Sequence, residues 1–150
     1  MPYRKPFNCE IYTPTEHMAI PGAVSVVFAT SDGMMGVLGG HAPMVAMVEA
    51  GPVTIHSADG GQVELYVGGG FAQIGENSVT LLAEQCLPLD QIDAEEAWAG
   101  IQSARKMPTE TDAELAHRDR KLSAARAKFR LAQKRRRAQI LAKGGHLVEE

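Results

Sequence analysis

Cysteine is scarce in this sequence, and its two residues form no familiar pattern. Cys9 and Cys86 stand far apart with no CxxC spacing. Two cysteines in a chain of 150 residues, which is long enough to build its own core, do not indicate a disulfide scaffold, so we expect free, partly buried thiols. The histidines lack the close spacing that lets side chains converge on a metal ion, and no metal site is predicted. They are His17, His41, His56, His117 and His146.

Long hydrophobic runs are absent as well. No segment approaches the roughly 18 consecutive apolar residues that span a bilayer. The first seven residues carry Pro2 and Pro6 where a signal peptide has its apolar centre. We therefore expect a soluble protein that is not exported.

Signatures of catalysis are missing too. The glycine-rich residues 31–43 lack the Lys-Ser/Thr pair of a P-loop, and their glycines predict the turns and bulges of a β-sheet. The glycines at 68–70 open a strand pattern instead of a helix, so no helix N-terminus awaits a phosphate. His41 has no recognisable nucleophile or acid beside it. An enzyme is thus the least favoured class, and no catalytic residue or cofactor is predicted.

Charge is divided unevenly along the chain. The net charge is −3, yet residues 1–88 hold two basic and eight acidic residues, whereas residues 89–150 hold thirteen basic and ten acidic ones. Glycine and β-branched residues dominate the first segment, and alanine, glutamate, lysine and arginine dominate the second. The composition predicts two domains, residues 1–88 and residues 89–150.

The first domain is predicted to be an all-β sandwich of about 8 to 10 strands. Short, often alternating apolar segments are separated by turn signals at Pro21-Gly22, Asp32-Gly33, Asp59-Gly60 and Glu76-Asn77. Asp59-Gly60 lies between two such segments and predicts a hairpin. The candidate strands are residues 7–12, 17–20, 24–29, 53–56, 63–67, 71–74 and 79–82.

The second domain is predicted to be an antiparallel helical hairpin. Asp93 is a good N-cap for a first helix that runs to about Lys106. After a proline break, Thr111 and Glu114 form a capping box for a second helix of about 30 residues, which ends at the glycine pair beginning with Gly144. Its apolar stripe is narrow and rich in alanine, so its burial contributes only a few kcal/mol at about 25 cal/mol per Å2. A hairpin that is held by so little burial can detach from the surface on which its apolar stripe packs.

The second predicted helix carries a dense basic run. It fits a solvated helix face, an acidic protein partner or nucleic acid, and the protein partner is favoured. Only Phe129 is available nearby for stacking on bases, so nucleic acid is not expected. The basic residues are Arg126, Lys128, Arg130, Lys134, Arg135, Arg136 and Arg137.

Five distinctive segments stand in a fixed order along the chain. They are Glu10-Ile11-Tyr12-Thr13-Pro14, Gly33-x-x-Gly36-Val37-Leu38-x-Gly40-His41-Ala42-Pro43, Gly51-Pro52-Val53-Thr54-Ile55, Gly69-Gly70-Phe71 and Asn77-x-Val79-Thr80-Leu81-Leu82-Ala83. In this order they resemble the epsilon subunits of bacterial F-type ATP synthases. The resemblance extends from about residue 7 to about residue 141.

This resemblance implies a non-catalytic rotor subunit that is peripheral to the cytoplasmic face of a bacterial membrane. It implies that the sandwich binds the gamma subunit and the c-ring, with the loop of residues 31–44 near the ring. It also implies that the hairpin extends at times toward the alpha and beta subunits, where its basic residues meet an acidic segment and suppress ATP hydrolysis. The interface candidates are Ser31, Asp32, Met34, Met35, His41 and Met44.

Some members of this family bind ATP through a motif similar to Ile/Leu-Asp-x-x-Arg-Ala. Here Ile92, Asp93 and Ala97 match the motif, but Glu96 stands where the family has arginine. Because a carboxylate repels phosphate groups, Asp93 and Glu96 are interpreted as a helix cap, and no nucleotide site is predicted.

The competing class is a free-standing adaptor, in which the sandwich carries a basic hairpin that holds an acidic protein or nucleic acid. Salt-dependent binding to RNA or DNA would favour it.

Overall fold

The computed structural model describes residues 5–144. The chain divides into two compact units, Met1–Pro88 and Leu89–Glu150. The first unit is a β-sandwich with nine strands among its described residues. The strands are β1 Phe7–Tyr12, β2 His17–Thr30, β3 Gly33–Leu38, β4 Met44–Val48, β5 Gly51–Ser57, β6 Gln62–Val67, β7 Gly70–Ile74, β8 Ser78–Ala83 and β9 Cys86–Pro88.

Strand β2 belongs to both layers of the sandwich. Its first half pairs with β1, and its second half pairs with β3 along one edge and with β5 along the other. One layer therefore has the strand order β4-β7-β8-β1-β2, and the other has the order β3-β2-β5-β6-β9. All pairs are antiparallel except the parallel pair of β1 and β8.

The predicted turn at Pro21-Gly22 was wrong, because β2 continues through it as a bulged strand. Opposite this point, Cys9 pairs with Ile20 and Phe7 pairs with Ala23, so β2 carries one extra residue. Gly22 has a φ of 70°, a backbone conformation that glycine adopts without steric cost. A bulge of this kind bends a strand, and proline is tolerated there because the ladder is already interrupted. Proline and glycine, which often end a strand, therefore bend β2 so that it passes from one layer to the other.

The prediction of a single loop over residues 31–44 was also wrong. This segment contains strand β3 and a short connection that leads to β4. Neither β3 nor β4 was predicted as a strand. Along β3, Val37 is buried and Met35 is half-buried, while Met34, Gly36 and Leu38 are exposed. The alternation of a strand is therefore present in burial, but the sequence hides it, because two of the three outward positions hold apolar residues, Met34 and Leu38. Strand β9 was missed as well, since it has only three residues.

Alternate side chains of both layers meet in one apolar core. Opposite residues of β5 and β6 show the pattern: Val53 pairs with Leu65, and both are fully buried. The hairpin predicted between these strands is confirmed, with a φ of 90° at Gly60 and a hydrogen bond of 2.8 Å from the Gly61 amide to Asp59 Oδ1. The largest fully buried side chains are Tyr66, Phe28, Ile11, Ile55, Leu65, Leu81, Val26, Val37, Val53, Val67, Val79 and Cys9.

The second unit contains the predicted pair of helices, α1 Ala94–Arg105 and α2 Asp112–Ala142. Asp93 and Thr111 cap them as predicted: Asp93 Oδ1 accepts from the Glu95 amide at 2.9 Å, and Thr111 Oγ1 accepts from the Glu114 amide at 3.1 Å. The Glu114 carboxylate reaches back to the Glu110 amide at 3.1 Å.

The predicted stop after α2 is confirmed at Gly144, which has a φ of 75°. Gly145 and His146 lie outside the described residues. No helix of the described segment is both long and apolar enough to cross a bilayer.

Gly70 provides a test of the sandwich geometry. An alanine Cβ at this position would collide with the Leu82 carbonyl oxygen, and the φ of 147° is unfavourable for any side chain. We expect Gly70→Ala to lower the free energy of unfolding by roughly 2 kcal/mol or more, measured by urea unfolding of the full chain. The control is Gly36→Ala, where an added Cβ meets only Val27 at an ordinary 3.8 Å. Equal stability of both variants would contradict this strand arrangement.

Candidate functional site

The β2–β3 hairpin presents the first two candidate residues at its tip. Ser31 and Asp32 are exposed there. The Thr30 hydroxyl donates to the Gly33 carbonyl at 2.8 Å and accepts from the Asp32 amide at 3.2 Å. The tip is therefore held in a fixed shape by its own hydrogen bonds, with two polar side chains facing solvent.

The candidates His41 and Met44 lie at the other end of β3. Six residues of strand separate them from the tip, a distance of about 20 Å at roughly 3.3 Å per residue. The His41 amide donates to the Leu38 carbonyl at 3.2 Å, and its ring Nδ1 lies 2.7 Å from the Ala42 carbonyl oxygen. The segment predicted as one locus thus forms two separate ones.

The two neighbouring methionines of β3 have different surroundings. Met34 is 58% exposed, on the outer face of its layer. Met35 points the other way and packs against the sandwich core. Of the two, only Met34 offers its side chain to a partner.

Sequence reasoning missed an exposed apolar row on the outer face of the other layer. Met47 pairs with Phe71, Phe71 with Leu82, and Leu82 with Tyr12. Residues paired directly across strands share a face, so these four side chains form one continuous row over β4, β7, β8 and β1. They are 69%, 50%, 49% and 38% exposed, respectively. We call this set the apolar row.

The surroundings of the apolar row are polar on the β1–β2 side. The ring of Tyr12 stacks on His17, with centroids 4.3 Å apart and planes 11° apart. The Tyr12 hydroxyl donates to Glu10 Oε2 at 3.0 Å, and His17 Nε2 lies 3.8 Å from Glu10 Oε1. This hydrogen bond is the main reason that the pKa of Tyr12 is raised. The row therefore ends in an ordered cluster of two rings and a carboxylate.

The residues of the predicted basic run point to different sides of helix α2. At 100° per residue, Arg126, Arg130, Lys134 and Arg137 share one face, and all four are exposed. We call them the basic row. Arg136 is exposed in another direction. Between residues 120 and 144 the sequence has ten basic residues and no acidic one.

Lys128 and Arg135 lie on a different face of α2 and are half-buried. Burial lowers the pKa of Lys128; the nearby Glu96 carboxylate raises it, and Lys121 lowers it. Arg135 Nη1 donates to the Leu89 carbonyl oxygen at 3.3 Å. These two candidates are therefore engaged within the helical unit.

The residues that match the ATP-binding motif serve as a helix start. The Asp93 carboxylate caps α1, Ala97 is buried and Ile92 is half-buried. The Glu96 side chain is exposed, and residue 96 itself offers a phosphate a carboxylate in place of the cationic group of the motif.

A cleft of about 340 Å3 lies at one side of the sandwich, where Met18 of β2 and Cys86 of β9 are among its lining residues. Thr13, Glu16, His17 and Ile11 complete the lining. Burial, and then the Glu16 carboxylate, raise the pKa of Cys86. Within residues 5–144, no group of three or more His, Cys, Asp or Glu side chains is placed to hold a metal ion.

Sequence comparison relates the first unit to one family. The family model described as the β-sandwich domain of the ATP synthase delta/epsilon chain matches residues 6–88. The ATP synthase epsilon chain of Streptomyces coelicolor is 41% identical over 104 residues, which cover 69% of this chain and 82% of that one. That of Paramagnetospirillum magneticum is 34% identical over 122 residues, which cover 79% and 90%.

Two solved structures have a similar fold. A chain of the Euglena gracilis mitochondrial ATP synthase aligns with a TM-score of 0.67 at 20% identity, over 85% of this chain and 86% of that one. A chain from the central stalk and c-ring of the Tetrahymena thermophila mitochondrial ATP synthase also has a TM-score of 0.67, at 12% identity, over 86% and 98%.

The two thiols of the sandwich are expected to differ in reactivity. Cys9 is fully buried, and burial, with a smaller effect of Glu10, raises its pKa to about 12. A raised pKa leaves less of the reactive thiolate at any given pH, so Cys9 should resist iodoacetamide at pH 8 while Cys86 is alkylated slowly. Mass spectrometry of the native chain checks this, with a sample in urea as the control in which both react. Equal rates in the native chain would contradict the burial of Cys9.

Proposed function

The chain belongs to the ATP synthase delta/epsilon family, and on this premise we propose that it is a rotor subunit which binds the gamma subunit and the c-ring through its sandwich. In this proposal it has no catalytic residues of its own and helps couple ion translocation to ATP synthesis. Its basic hairpin inhibits ATP hydrolysis. It is peripheral to the cytoplasmic face of the membrane, where the rest of the complex holds it.

The apolar row carries the proposed contact with gamma. An exposed apolar row on a well-ordered sheet is a common feature of protein interfaces, where Met and aromatic side chains are enriched. Here Met47, Phe71, Leu82 and Tyr12 stand on four strands that hydrogen-bond to one another. Because the backbone ladder fixes their spacing, such a surface transmits force without first deforming.

The two ends of β3 support two further contacts. The hairpin tip with Ser31 and Asp32, together with exposed Met34, offers a small and mainly polar surface. The connection with His41, followed by Met44, offers another about 20 Å away. We assign both ends to the c-ring, as two separate contacts in place of a single loop, and leave the contact with gamma to the apolar row.

The basic row supports the inhibitory role of the hairpin. Arg126, Arg130, Lys134 and Arg137 recur at intervals of three or four residues, so four cations align along one side of α2. A helix with acidic residues at the same spacing is a complementary partner, and an acidic segment of the beta subunit would fit. The conditional partners are accordingly the alpha and beta subunits.

A matched pair of substitutions tests the gamma contact. Leu82 lies in the apolar row and is 49% exposed, whereas Leu38 lies on β3 of the other layer and is 50% exposed. We expect Leu82→Ser to reduce co-purification of the tagged chain with gamma at least several-fold, because it places a hydroxyl in the centre of an apolar interface. Leu38→Ser should leave it unchanged. Equal losses in both variants, or none in either, would contradict the assignment of this face.

Charge removal tests the inhibitory role. Replacing all four residues of the basic row by glutamine should raise ATP hydrolysis by the assembled ATP synthase complex several-fold at low salt, and the difference should shrink as salt screens the contact. The control replaces four basic residues of the same unit outside the row: Arg105, Lys106, Arg120 and Lys143. Unchanged hydrolysis in the first variant, or the same rise in the control, would count against the basic row.

A further inference from the structure

Arg135 differs from its neighbours in the basic run. Lys134, Arg136 and Arg137 are exposed, but Arg135 is half-buried and its Nη1 donates to the Leu89 carbonyl oxygen at 3.3 Å. The two residues are 46 positions apart in the chain. A bond over such a separation connects the second half of α2 to the segment that leads into α1.

The Leu89 carbonyl has a defined place in that segment. Leu89–Gln91 forms one turn of 3-10 helix, in which the same carbonyl also accepts from the Ile92 amide at 3.4 Å. Asp93, the cap of α1, follows directly. The Arg135 guanidinium therefore holds the turn from which α1 begins.

The large apolar contacts of the hairpin lie elsewhere. Ile101 and Ala104 of α1 pack with Leu122 of α2, near the connection between the helices. Trp98 and Phe129 form the next contact along, with ring centroids 5.4 Å apart. Beyond this point toward the start of α1, the buried apolar residues of the two helices are the alanines Ala97 and Ala132. Small side chains contribute little burial, so the open end of the hairpin depends more on the bond from Arg135.

We infer that Arg135 is a positioning residue that clasps the open end of the hairpin and thereby opposes its inhibitory action. This rests on the proposed function and on the extension of the hairpin toward the alpha and beta subunits that the family resemblance implies. Because the basic row is already exposed in the closed hairpin, the clasp opposes only the separation of the two helices that lets α2 reach an acidic partner. In the clasped hairpin the guanidinium of Arg135 is bound to a backbone carbonyl of the same unit. Loss of the Arg135 guanidinium loosens the hairpin. Loss of an exposed basic neighbour such as Arg137 only weakens the attraction to the acidic partner. The two losses therefore change inhibition in opposite directions.

The test compares Arg135→Gln with Arg137→Gln, which remove the same charge two residues apart. Hydrogen exchange of the full-length chain is the first measurement. In Arg135→Gln, amides of residues 89–98 should exchange about fivefold faster, the size expected for the loss of one hydrogen bond of this kind. Arg137→Gln should exchange as the parent chain does. Arg135→Lys should fall between them, because an ammonium group still donates but lacks the planar fork of arginine.

The second measurement is ATP hydrolysis by the assembled complex. Arg135→Gln should lower it and Arg137→Gln should raise it. An exchange difference with no effect of either variant on hydrolysis would support the clasp and contradict the inhibitory role of the hairpin. Identical exchange in the two variants would overturn the clasp, and a rise in hydrolysis with both would then make Arg135 an ordinary partner contact.

Discussion

The backbone hydrogen bonds of β2 are the constraint on which the sandwich depends. This strand of 14 residues pairs with β1, β3 and β5, and so connects the two layers through one continuous backbone. The bulge at Gly22 interrupts the pairing with β1 and lies shortly before Ser25, where the pairing with β3 begins. With the strand bent at this point, both layers turn their apolar sides toward each other. A sheet anchored in this way keeps the spacing of its outer side chains, including the apolar row.

The two units have different kinds of stability, which suit different tasks. In the sandwich, large side chains such as Phe28 and Tyr66 are fully buried and neighbouring strands share long ladders. In the hairpin, the apolar contact centres on Ile101, Ala104 and Leu122, and much of α2 presents charge to solvent. Elements with few buried apolar contacts open at lower free energy than the core of a sheet. The sandwich is thus suited to a permanent contact and the hairpin to a reversible one.

The sequence predicted those features that depend on neighbouring residues. The caps at Asp93 and Thr111, the turn at Gly60 and the ends of both helices follow from local chemistry, and the structure confirms them. Strand β3 escaped prediction because apolar residues, Met34 and Leu38, stand at its outward positions, so its sequence does not alternate between apolar and polar residues. The apolar row was not foreseeable either, since Met47 and Leu82 become neighbours only through the register of β4, β7 and β8. Likewise, nothing in four consecutive basic residues distinguishes Arg135, because its partner Leu89 is 46 positions away.

We propose that the sandwich holds this chain in the rotor of an ATP synthase. The most direct measurement is purification of the tagged, full-length chain from detergent-solubilised membranes, followed by mass spectrometry of the proteins that accompany it. We expect gamma, alpha, beta and c subunits to be recovered with it in a complex that survives moderate salt, because the interface is built on apolar contacts. Recovery of the chain without any ATP synthase subunit would contradict it.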